Sequence, residues 1–175
     1  MPTIGVAVAI PEPWATELQD YRTSVGDSTA TMIPTHITLL PPTEVDEGTL
    51  PDVEAHLADV AGRLRGFAIH LRGTGTFRPV SPVVFVTVAE GISQCEQLAA
   101  AVRRGPLAID LQFPYHPHVT IAHHLPDDVL DRAFSELASF ESVFDATEFH
   151  LYVHDEETGW KPTRDFPLQP GPAVS

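Results

Sequence analysis

Two short stretches of the chain carry residue types able to move protons in a concerted way: His36-Ile37-Thr38-Leu39 and His118-Val119-Thr120-Ile121. In each, a histidine and a threonine stand two residues apart, with apolar residues between and after them. Side chains alternate along a β-strand, so His and Thr share one face while the apolar pair enters a core. An imidazole has an unperturbed pKa of roughly 6.5, so near neutrality one histidine can be neutral and its partner protonated. Such a pair can take a proton from an attacking water and give one to a leaving oxygen. The threonine hydroxyls can donate hydrogen bonds to oxygens whose charge redistributes as the bond breaks. The scheme requires no metal and no cofactor, and it leaves open which histidine is acid and which is base. Nine His and 16 Thr in 175 residues give roughly 0.8 chance occurrences of H-x-T, and roughly 0.15 with both apolar positions required. The chain has two.

This doubled motif resembles the signature of the two-histidine (2H) phosphoesterase superfamily, which includes 2′-5′ RNA ligases and 2′,3′-cyclic phosphodiesterases. The likeness continues through Phe77-Arg78-Pro79-Val80-Ser81-Pro82-Val83-Val84-Phe85 and Phe113-Pro114-Tyr115-His116-Pro117, which leads into the second motif. The resemblance implies an α+β fold of two pseudo-symmetric lobes with mainly antiparallel sheets, facing a central cleft with one motif each. It implies His36 and His118 as catalytic residues and Thr38 and Thr120 as phosphate-binding residues. The activity implied is metal-independent opening of 2′,3′-cyclic phosphates of nucleotides or RNA ends to 2′-phosphates. Two alternatives stay open: a non-catalytic binder of nucleotides or phosphorylated metabolites, and a reversible 2′-5′ RNA ligase. One departure stands out. Many ligase-type members carry Arg just after the second motif, where this chain has His123-His124.

Phe85 lies where the resembled family often has an aromatic, and its ring either stacks on a base or packs in the core. Arg78 and Lys161 are scarce cations that either meet a phosphate or stay solvated. Trp160, in the last hairpin with Tyr152, reads as a packing residue. His56, His70, His150 and His154 read as solvated or locally hydrogen-bonded. The density of His116, His118, His123 and His124 suggests zinc, but no Cys and no H-E-x-x-H joins them, so no metal is expected. On a regular strand His123 points away from His118. A cleft open to water should leave both motif histidines within a unit or two of 6.5.

The elements that must hold these residues follow in order. A first strand spans about 4–10, and Trp14, Leu18 and Tyr21 mark a helix ending near Gly26. The first motif strand, at 35–40, should end at Pro41-Pro42. Thr49-x-x-Asp52 resembles a capping box for a helix on Val53, Leu57, Val60 and Leu64, as does Ser93-x-x-Glu96 for a third helix stopped by Gly105-Pro106. Strands are expected at 67–72, 83–89 and 107–112, the second motif strand at 118–123, and a fourth helix from Pro126. A last hairpin pairs 142–154 with 160–166. Residues 1–168 form one two-lobed domain, and 169–175 a flexible Pro-rich tail.

Composition narrows the partners. With 24 Asp plus Glu against ten Lys plus Arg, the formal net charge is −14. Such a surface repels the backbone of long nucleic acid and favours a small nucleotide or an RNA end, with no DNA and no membrane partner. Cys95 is the single cysteine, on an apolar helical stripe with Leu98 and Val102; a core role, a monomer and a cytoplasmic home are the expectation.

Overall fold

The computed structural model describes residues 1–171. Twelve elements follow in order: β1 (Thr3–Ala9), α1 (Trp14–Ser24), β2 (His36–Glu44), α2 (Leu50–Arg63), β3 (Phe67–Thr76), β4 (Val83–Glu90), α3 (Ile92–Val102), β5 (His118–His123), α4 (Asp127–Glu136), β6 (Glu141–Ala146), β7 (Glu148–Asp155) and β8 (Gly159–Pro167). They build two four-stranded antiparallel sheets, ordered β2-β1-β7-β8 and β5-β4-β3-β6. Each motif strand is an edge, paired with the strand that precedes it in its own β-α-β unit. The units β1-α1-β2-α2 and β4-α3-β5-α4 are thus pseudo-equivalent, as a two-lobed α+β fold requires. The helices trade sides: α1 lies against β5 of the second sheet, and α3 against β2 of the first.

Alternation in the strands explains the shared core. Ile37 and Leu39 from β2, Val84 and Val86 from β4, and Val119 and Ile121 from β5 are almost fully buried in one apolar cluster. Burying a side chain of this size stabilises by about 1.5–3 kcal/mol relative to exposure. Cys95 lies in the same cluster, where burial pushes its thiol up to about 12 and leaves it inert. No helix among the described residues is long and apolar enough to cross a membrane.

Several expectations need correction. β2 does not stop at Pro41-Pro42 but runs to Glu44. It is an edge strand, where a missing N–H costs no ladder bond. Residues 107–112 form no strand; Pro106 opens a 3₁₀ turn, Gly105–Leu107, and the segment beyond finds no strand to pair with. The run 142–154 is two strands in different sheets, divided at Thr147, because a period of two does not reveal a change of partner. Neither proposed capping side chain caps: Thr49 Oγ1 donates to the Asp46 carbonyl, and Ser93 lies inside α3, behind Gly91. At the other end, Gln169 exchanges backbone hydrogen bonds with Leu64 and Gly66. Residues 172–175 of the expected tail lie outside the described residues.

Candidate active site

The two motifs are built alike. His36 Nδ1 lies 2.6 Å from the Pro34 carbonyl oxygen, and His118 Nδ1 lies 2.7 Å from that of His116. A carbonyl only accepts, so each Nδ1 carries the proton and donates it. Each Nε2 is left free to exchange a proton with a substrate. In both strands the carbonyl two residues upstream does this work, which locks tautomer and ring orientation together.

Each motif strand also bulges in the same place. Ala7 pairs with Thr38 and Val6 with Leu40, leaving Leu39 extra; Phe85 pairs with Thr120 and Val84 with Ala122, leaving Ile121 extra. An extra residue reverses the alternation of side chains beyond it. Leu39 and Leu40, like Ile121 and Ala122, are therefore both buried. The second bulge brings His123 round to the cleft, correcting the expectation that it points away from the site.

His36, Thr38, Thr120 and His123 line a cavity of about 220 Å³, with Arg22, Tyr152 and Trp160. Its floor is made of small residues of β1. Gly5 lies under Trp160, where an added Cβ would stand 3.4 Å from the indole ring. His118 is not one of the lining residues. Its ring lies edge-on to Phe77, with centroids 4.8 Å apart, and 5.3 Å from Phe85.

Those surroundings set the protonation states. Burial pushes His118 down to about 4, reinforced by charge on His116 and His36 and opposed by the His116 carbonyl. Burial also lowers His36, which the Pro34 carbonyl opposes and Arg22 reinforces. Both imidazoles are thus neutral in the empty cleft at neutral pH. Phe77 and Phe85 shield the His118 ring, so its pKa falls further below 6.5 than a cleft open to water would leave it.

The other candidates divide. Phe85 is only 5% exposed; its ring lies over Gly75, where a Cβ would stand 2.7 Å away, and 4.5 Å from Phe77. It packs beside His118 and Phe77, and the aromatics that line the cavity are Tyr152 and Trp160. Trp160 both packs and lines the cavity. Arg78 is held by Asp131, 2.8 Å away, beside α4 and apart from the motifs, and Lys161 is exposed on β8. His56 bonds to the Val102 carbonyl, His70 lies 3.3 Å from Glu141, and His154 packs on Trp160. His150 sits 2.6 Å from Asp165 and near Glu148, three groups whose ligand atoms lie within 4.8 Å of one another.

Comparison with known proteins decides the family. Residues 10–158 match the family model of the 2′-5′ RNA ligase superfamily. The chain belongs to that superfamily. A Bacillus cytotoxicus protein named as a presumptive phosphoesterase is 30% identical over 144 residues, covering 80% of this chain and 82% of its own. Two crystal structures share the fold. TT0787 of Thermus thermophilus aligns with a TM-score of 0.69 at 24% identity, covering 97% of this chain and 99% of its own. Apo E. coli LigT aligns at 0.70 and 19%, with the same coverage. LigT has also been crystallised with phosphate and with 3′-AMP. Both motifs, with His36, Thr38, His118 and Thr120, fall inside the matched residues.

The residue that sequence reasoning missed is Arg22. It occupies the last turn of α1, 14 residues before the first motif, and nothing in its neighbourhood marks it. Its burial, 3% exposed among ten Lys and Arg in the whole chain, is visible only in three dimensions.

Proposed function

We propose that this protein is a metal-independent phosphodiesterase that opens 2′,3′-cyclic phosphates of nucleotides or RNA ends to 2′-phosphates. The observation that supports this most is the duplicated Nδ1–H lock, which leaves the Nε2 atom of each motif histidine free to exchange a proton. A binder of phosphates has no use for a matched proton acceptor and donor.

Water adds to phosphorus as the bond from phosphorus to the ribose 3′-oxygen breaks. One neutral histidine takes the proton that the water loses, and the other, protonated, gives a proton to the departing oxygen. Thr38 and Thr120 donate to the non-bridging oxygens. Since both histidines are neutral in the empty cleft, one must gain a proton as substrate binds. The negative phosphodiester supplies the reason, because an anion nearby favours the charged imidazole.

A ligase working on long RNA is the weaker reading. It needs a basic surface, and the net charge is −14, with Arg22 the one Lys or Arg lining the cavity among the described residues. The test is incubation of chelator-treated protein with a 2′,3′-cyclic nucleotide, the product identified by ³¹P NMR. A 2′-phosphate product is expected. No turnover anywhere between about pH 5 and 9, the range over which histidines exchange protons, would leave a phosphate binder. Activity lost with chelator and restored by zinc would overturn the metal-free mechanism.

A further inference from the structure

Arg22 is a buried cation that the two motifs do not explain. It is fixed from several sides: Nε and Nη2 donate to Asp27 Oδ2 at 3.1 and 2.7 Å, and Nη2 also donates to Thr29 Oγ1 at 3.2 Å. Asp27 is anchored in turn, its Oδ1 accepting from the Thr29 amide and hydroxyl and its own amide donating to the Arg22 carbonyl. Among the described residues Nη1 has no hydrogen-bond partner. Arg22 nonetheless lines the cavity together with His36, Thr38, Thr120 and His123.

We propose that Arg22 is a positioning residue that grips a non-bridging oxygen of the substrate phosphate through its guanidinium, held ready by Asp27 and Thr29. The inference rests on the phosphodiester reading of the cleft and adds to it the group that draws the anion in. A substrate approaching this acidic chain meets at the cavity a single guanidinium, out of water and unable to swing away. A guanidinium suits a phosphate because its donors are planar and fixed, and a charge-assisted bond is stronger than a neutral one. A buried ion pair by itself is weak evidence for stability, so one pointed at a cavity beside two histidines and two threonines calls for a functional account.

The alternative is that the pair only braces the loop from Val25 to Thr35, which leads into the first motif. Removing the cation and removing its partner separate the two. Inorganic phosphate is the probe, with affinity measured by calorimetry on the whole chain, and thermal stability measured alongside. Arg22→Met should weaken phosphate binding about tenfold or more, the usual loss for one charge-assisted bond. Asp27→Asn, which breaks the same pair but keeps the cation, should leave phosphate affinity unchanged or tighter. Both variants lose stability, so a bracing role predicts that both lose affinity together. Arg22→Lys should keep binding within a few-fold of wild type, and Arg22→Gln, which should lose affinity as the methionine variant does, replaces that variant if it fails to fold. In turnover assays Arg22→Lys should raise KM more than it lowers kcat.

Phosphate affinity within twofold of wild type in Arg22→Met, or equal losses in Arg22→Met and Asp27→Asn, overturns the inference. Turnover of the cyclic nucleotide with Arg22-independent phosphate binding sinks this inference alone. Arg22-dependent phosphate binding without turnover sinks the phosphodiesterase reading and leaves the anion site standing.

Discussion

The two lobes carry the same chemical device in different surroundings. On the first sheet His36 looks over a floor of Gly5 and Ala7, with Tyr152, Trp160 and the Arg22 guanidinium around an open cavity. On the second, the residue facing Thr120 across the strands is not alanine but Phe85, and His118 is packed by Phe85, Phe77 and His116. The carbonyl lock and the bulge recur in both. What is duplicated is therefore the setting of the imidazole, with Nδ1 bound to a carbonyl and Nε2 free. What differs is volume: small residues of β1 floor an open cavity beside His36, large rings pack beside His118, and burial keeps both imidazoles neutral. A duplicated scaffold can thus keep paired chemistry while placing recognition in one lobe.

The sharpest way to break this comparison is to remove each imidazole in turn. His36→Ala and His118→Ala should each lower kcat on a 2′,3′-cyclic nucleotide by about 10²- to 10⁴-fold, the usual contribution of a general acid or base. If one variant keeps full activity, the asymmetry extends to the chemistry and the paired mechanism goes. Next in size, obstructing the first lobe should hurt recognition alone. Gly5→Val pushes side-chain atoms against Trp160 and should raise KM about tenfold, with the pH dependence of kcat unchanged; a matching replacement of exposed Val143 should do nothing.

The second lobe is tested by opening it. Phe77→Ala should cost about 2 kcal/mol in urea unfolding, less than a fully buried Phe because the ring is half-buried. Water then reaches His118, and its pKa, read from the imidazole proton shifts, should rise from about 4 toward 6.5. The same shift has a stability consequence with a definite sign. His118 binds its proton less well folded than unfolded, so its contribution is complete above about pH 6.5 and is lost as pH falls toward 4. The acid limb of the wild-type unfolding profile should therefore flatten in His118→Ala, and an unchanged limb would contradict the depressed pKa. The smallest effect expected is at the threonines. Thr38→Val and Thr120→Val should each lower kcat/KM about fivefold while keeping the shape of its pH profile, since hydroxyls hold the anion without titrating.

Much of this protein is determined locally and so was legible in the chain. A His and a Thr two residues apart on an apolar-alternating strand share a face whatever the rest of the fold does, because the period of a strand is a backbone property. The same holds for the helical stripes of Val53, Leu57 and Val60, and for the burial of Cys95 among Leu98 and Val102. Tertiary structure decided whatever depends on a partner strand or on distant packing. The bulges at Leu39 and Ile121 exist only against β1 and β4, and the second of them turned His123 toward the cleft. Pro41 and Pro42 stayed in a strand because β2 is an edge and they fall at a register shift against β1. Residues 107–112 had the composition of a strand and no partner. Arg22 became a candidate because α1 folds over to face the second lobe and buries a guanidinium beside two motifs 14 and 96 residues away in the chain. A charge's meaning depends on what surrounds it, and sequence spacing does not record that.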